Sequence, residues 1–96
     1  MDLLTLNHFA SCLNETFSAA LNDGEVEFVL VEVRPIETKV PNLMRVPFSL
    51  LFRNTASLLF PQQIYQMRNP RLGQVGIFLV PIARERDAFL YQAVFN

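Results

Sequence analysis

The chain has 96 residues, 51% of them hydrophobic and only 18% charged against roughly 25% in an average globular protein, so one folded domain fits and neither disorder nor a charged tail does. Nine acidic and eight basic residues leave a formal net charge of −1, which creates no field to gather nucleic acid or anionic lipid. A single cysteine, Cys12, and a single histidine, His8, exclude an internal disulfide and a zinc ligand set.

Asp2 stands where a signal peptide carries positive charge, and no apolar run reaches the roughly 20 residues of a membrane-spanning helix, so a cytoplasmic, non-membrane protein is expected. Seven of the eight basic residues are Arg, with Lys39 the exception, a bias associated with interfaces and fixed ion pairs.

In chain order, the first element is a helix expected over residues 5–13, because Leu6, Phe9, Ala10 and Leu13 recur at helical spacing. Thr5 suits its N-cap, Leu4 and Phe9 occupy the positions of a hydrophobic staple, and Asn14 suits a left-handed residue after the last turn. Strand signals follow. Phe17, Ala19 and Leu21 alternate with Thr16, Ser18 and Ala20, then Asn22-Asp23-Gly24 supplies a hairpin turn into a strand over about 26–34. The apolar phase of that strand slips by one residue near Val29 and Leu30, which predicts a bulge.

Pro35, Pro41 and Pro47 punctuate a loop from 35 to 47. Strands are expected over about 48–53, 64–68, 74–80 and 89–95, with 64–68 and 74–80 joined by the turn Asn69-Pro70-Arg71-Leu72-Gly73. The class is therefore mainly β: a small antiparallel six-stranded barrel or tight sandwich in one domain, with one short N-terminal helix as a plug.

Chemistry-bearing constellations are sparse. His8 and Cys12, four residues apart and off the Leu6/Phe9/Leu13 face, could touch as a base and a thiol, but nothing nearby supplies an orienting group or an oxyanion hole. Glu25, Glu27 and Glu32 form a carboxylate cluster that alternation turns outward, to a solvated face that discourages edge pairing. Gly24, Gly73 and Gly76 do not make a phosphate-cradling loop. No catalytic, cofactor-binding or metal residue is assigned, and an enzyme is not expected.

One pattern is harder to explain by core packing. Leu51, Phe78, Val80, Leu90 and Val94 lie on the strand faces opposite the expected core residues Phe48, Leu50, Phe52, Val75, Ile77, Leu79, Tyr91 and Phe95. A domain of this size buries only about two thirds of its unfolded surface, so both sets cannot be hidden without help from the helix, the loops or another chain. An interface is expected there, with Leu51, Phe78, Val80, Leu90 and Val94 as its apolar residues and Arg53 at its rim. Unless the sheet closes, the strand 89–95 would also offer an edge to another chain.

The segments Pro47-Phe48-Ser49-Leu50-Leu51-Phe52-Arg53, Leu58-Leu59, Pro61-Gln62, Tyr65, Asn69-Pro70, Leu72-Gly73, Phe78-Leu79-Val80-Pro81 and Tyr91-Gln92-Ala93-Val94-Phe95-Asn96, with Leu4 to Phe9 and Val31-Glu32-Val33-Arg34-Pro35, resemble a family of short bacterial proteins known only as a domain of unknown function. Members of that family often carry Gly where Gln63 stands and His where Asn69 stands, so any role of that His does not transfer. The resemblance implies genes set near those of phage-tail-collar-like proteins, hence a structural or assembly role, and it transfers a function to no position. The expected function is a non-enzymatic protein-interaction or structural module, a subunit or assembly partner of a tail-like or fibre-like assembly, binding itself or another protein as an oligomer. The alternative is a small-ligand binder whose barrel mouth is lined by Tyr65, Tyr91 and nearby Arg.

Overall fold

Alternation of side chains along the strands decides the architecture, since each strand turns one row of apolar residues inward. The computed structural model describes residues 4–21, 24–39, 41, 45–56 and 58–96. Its elements are α1 (Leu6–Ala10), β1 (Thr16–Leu21), β2 (Gly24–Pro35), β3 (Phe48–Asn54), β4 (Gln63–Asn69), β5 (Gly73–Glu85) and β6 (Ala88–Phe95). Six strands and one short N-terminal helix were the expectation, and they form. The Asn22-Asp23 turn and residues 40 and 42–44 of the 35–47 loop lie outside the described residues, although the turn's flanks pair Leu21 with Gly24.

Every strand pair is antiparallel, in the order β1-β2-β3-β6-β5-β4, and a β1–β4 contact returns the circuit to its start. The two longest strands organise it. The first half of β2 pairs with β1 and the second half with β3, with a register shift between Leu30 and Glu32. Likewise β5 pairs with β4 up to Leu79 and with β6 from Val80 onward, with a shift between Pro81 and Ala83. Two four-stranded layers result, sharing β2 and β5 as bent corners, the way bulged strands switch between packed sheets.

The tight sandwich is thus the better of the two expected forms, and a β-barrel is corrected. In the middle of one layer β3 and β6 pair along their whole length, whereas in the middle of the other β1 and β4 meet only at Ser18–Arg68 and Ala19–Met67. The interior has no lumen, because it is filled with ring side chains. The closure also makes β6 a central strand between β3 and β5, so the expectation that 89–95 offers a free edge is corrected.

The core holds Phe9, Phe17, Phe28, Phe48, Phe52 and Tyr91 at 0% exposure, each contributing about 1.5–3 kcal/mol by burial. Phe28 stands edge-on to Phe52, Phe60, Tyr65 and Tyr91 at centroid distances from 5.3 to 6.4 Å. On the helix side Phe9 lies 5.7 Å from Phe48 and 5.3 Å from Phe95, while Phe48 and Phe95 stack at 4.8 Å. The helix therefore plugs the core through one ring, as expected. Of the remaining expected core residues, Leu50, Ile77 and Leu79 are buried, while Val75 and Phe95 are partly covered and pack against the core.

The helix is shorter than its pattern. It stops at Ala10, and the next residues continue in tighter turns in which the N–H of Cys12 bonds to Phe9 O at 2.9 Å and that of Leu13 to Ala10 O at 3.3 Å. Three residues then complete a turn, so Cys12 falls onto the face of Phe9 and is fully buried, while Leu13 is 44% exposed. Asn14 takes the left-handed conformation expected of it, with φ 69°.

Candidate functional site

The outer face expected to be an interface is continuous in register. On one layer Ile64 of β4 is opposite Phe78 of β5. Two residues along β5, Val80 is opposite Gln92 of β6, which is opposite Leu51 of β3. Beside that row Arg53 is opposite Leu90 and Ser49 is opposite Val94. Phe78 is 50% exposed, Val94 51% and Ile64 63%, while Leu51, Val80 and Leu90 are half-buried. Arg53 Nη2 lies 3.7 Å from Asp87 Oδ1 at the end of this face. Ile64, read from the sequence only as the start of a strand, belongs to the same patch, and its cross-strand pairing is what reveals it.

His8 and Cys12 do not meet as base and thiol. The Thr5 N–H donates to His8 Nδ1 at 2.9 Å, so the imidazole does the work that Glu or Gln does in a capping box. The Cys12 thiol points inward, 3.6 Å from Asn69 Oδ1 and 3.7 Å from His8 O. The expectation that both side chains turn away from Phe9 fails for Cys12, for the reason of the tightened turn.

Asn69, 3% exposed, is a polar hub the sequence does not announce. Its Oδ1 accepts the N–H groups of Arg71 at 2.8 Å and Leu72 at 3.2 Å, which shapes the turn into β5. Its Nδ2 donates to Thr16 O at 3.1 Å and to Glu15 Oε1 at 3.2 Å, which ties that turn to the start of β1. Arg71 Nε donates to Glu15 Oε2, and the guanidinium, helped by Asn69, holds the Glu15 carboxyl below its ordinary pKa. Asn-Pro is visible in the sequence as a turn signal, but the tertiary bonds of its side chain are not.

Tyr65 and Tyr91, expected to line a mouth, are buried at 1% and 0% exposure. Tyr91 Oη accepts the Phe60 N–H at 2.9 Å and the Tyr65 hydroxyl donates to Pro61 O, so the segment before β4 closes this end. Burial pushes both phenols above their ordinary pKa. A surface groove of about 620 Å³ lies beside that segment, with Ala20, Leu21, Glu25, Leu58, Phe60 and Gln63 in its walls. Glu25 and Glu27 are exposed, as alternation predicts, and Glu25 pairs with Arg68. Glu32 pairs with Arg34 at 2.8 Å.

Among the described residues no three His, Cys, Asp or Glu side chains converge to hold a metal, and no helix is long and apolar enough to cross a membrane. No curated protein and no solved structure matches the chain. A family model described as a domain of unknown function, DUF6916, matches residues 4–95. With nearly the whole sequence inside that match, the chain belongs to the DUF6916 family.

Proposed function

We propose that the protein is a non-enzymatic interaction module that docks another protein surface, a second copy of itself first, on the outer face carrying Ile64, Phe78, Val80, Leu90 and Val94. The carrying observation is that Phe78 stays half-exposed opposite Ile64 although the core is already filled by other rings. A Phe left in water forgoes burial worth about 1.5–3 kcal/mol, and a contiguous apolar patch of this kind is a common mark of an interface. Membership of a tail-like or fibre-like assembly is the finer form of the proposal and rests on the sequence resemblance alone. The small-ligand alternative is weaker, because Tyr65 and Tyr91 spend their hydroxyls on Phe60 and Pro61.

A photo-crosslinking phenylalanine analogue at position 78 tests the reading. Crosslinked dimers from position 78, and none from the same analogue at exposed Gln74, support it. Monomer alone, in the pure protein and in an extract of its host, overturns it.

A further inference from the structure

The sheet circuit is asymmetric at the seam between β1 and β4. At one end Asn69 bonds across it to Thr16 O and Glu15, and the paired residues Ser18–Arg68 and Ala19–Met67 follow. Continuing that register would set Ala20 opposite Gln66 and Leu21 opposite Tyr65, yet among the described residues neither pair forms. Ala20 and Leu21 bond only toward β2, and Gln63 to Gln66 bond only toward β5. Alternate residues of a strand direct both N–H and C=O to the same neighbour, so each of these segments holds main-chain groups aimed into the gap. The 620 Å³ groove opens at this same place.

We infer that the open half of the seam binds an extended peptide strand of a partner protein, which adds to the free edges of β1 and β4. The inference builds on the reading of the chain as an interaction module but uses a different surface. Main-chain ladder bonds would supply the affinity and alternate side chains the selectivity, as in other cases of strand addition. Apolar side chains on one face of the peptide would cover Leu21, Leu58 and Phe60, of which Leu58 is now 69% exposed. Its opposite face calls for a basic residue. Glu25 and Glu27 stand on the outer side of β2 opposite the small side chains of Ala20 and Ser18, and Arg68 already reaches over β1 from β4 to pair with Glu25. Glu25 stands opposite Ala20 of the unpaired stretch and also lines the groove, so a Lys or Arg from an added strand has a carboxylate to meet.

The probe is a short synthetic peptide that alternates valine and threonine around a central lysine, compared with a version in which proline replaces each threonine and so removes those N–H donors. Titration is followed by amide hydrogen exchange on the intact protein. The expected result is binding of the first peptide with slowed exchange confined to residues 20–21 and 63–66, and binding at least about tenfold weaker for the proline version and for Leu58→Asp. Leu58 is an exposed connection residue, so its replacement leaves the fold intact, and Phe78→Glu should leave peptide binding unchanged. No binding, protection elsewhere, or equal binding of the proline peptide overturns the inference without touching the Phe78 face.

Discussion

Asn69 Nδ2 donates to the Thr16 carbonyl oxygen at 3.1 Å, so a side chain secures the β1–β4 junction at the end next to its two register pairs, Ser18–Arg68 and Ala19–Met67. The same amide's oxygen shapes the β4–β5 turn. One buried residue thus links the helix exit, the first strand and the second hairpin.

Asn69→Ala should therefore destabilise the fold by about 2 to 3 kcal/mol, because it strands the Arg71 and Leu72 N–H groups and the Thr16 carbonyl with no partner of equal geometry. Urea denaturation monitored by circular dichroism measures it. A loss below about 0.5 kcal/mol, the range of ordinary surface substitutions, would mean that water replaces the amide at no cost.

The Glu15 carboxyl is held below its ordinary pKa by Arg71 first and then by Asn69. A carboxyl that is more acidic when folded adds stability above its unfolded pKa and loses it as the pH falls through the folded value. Wild type should lose stability in that acid window, and Glu15→Gln should flatten that part of the profile while being less stable near neutrality. Equal pH profiles for the two proteins would show that the Glu15–Arg71 pair is uncoupled from folding.

His8 accepts the Thr5 N–H through Nδ1, so what the cap uses is an acceptor atom at this position. His8→Gln keeps an acceptor at the usual capping-box position and should preserve stability, whereas His8→Ala should cost about 0.5–1 kcal/mol, the lower range for helix caps. Thermal melts of the two variants check this. The buried Cys12 thiol should in turn resist thiol reagents until the protein is unfolded.

How much of this was legible in the sequence follows from the range of each interaction. Alternation within Phe48–Asn54 and within 88–95 is a local signal, and it marks both the strands and most of the buried row. The bulge in β2 was visible as the change of phase after Phe28, close to where the register shifts. The bulge in β5 was not, because Pro81 and Ile82 interrupt the alternation and make the strand seem to end at 80, although it runs to Glu85. Helical spacing extended past Ala10 in the sequence, but the tightened turn rotated Cys12 inward, and only tertiary packing decides that rotation. The closing β1–β4 contact and the bonds of Asn69 join residues about fifty positions apart, which no local pattern encodes. The outer face of Leu51, Phe78, Val80, Leu90 and Val94 was readable as the opposite phase of the strands, whereas its continuation to Ile64 needed the β4–β5 register.

Core and outer face should respond in opposite ways to truncation. Phe52→Ala, in the fully buried ring cluster, should cost about 3–5 kcal/mol. Val94→Ala, at a half-exposed position, should change monomer stability by no more than about 0.5 kcal/mol. Denaturant titrations at low protein concentration separate the two, and a large loss for Val94→Ala would place it in the core.

The most direct measurement is light scattering at micromolar concentration on wild type and Phe78→Glu, with circular dichroism as the folding control. Wild type should scatter as a species larger than the monomer, and Phe78→Glu should be monomeric with an unchanged spectrum. A monomeric wild type, or a variant that unfolds instead of dissociating, would contradict the assignment of this face as an interface.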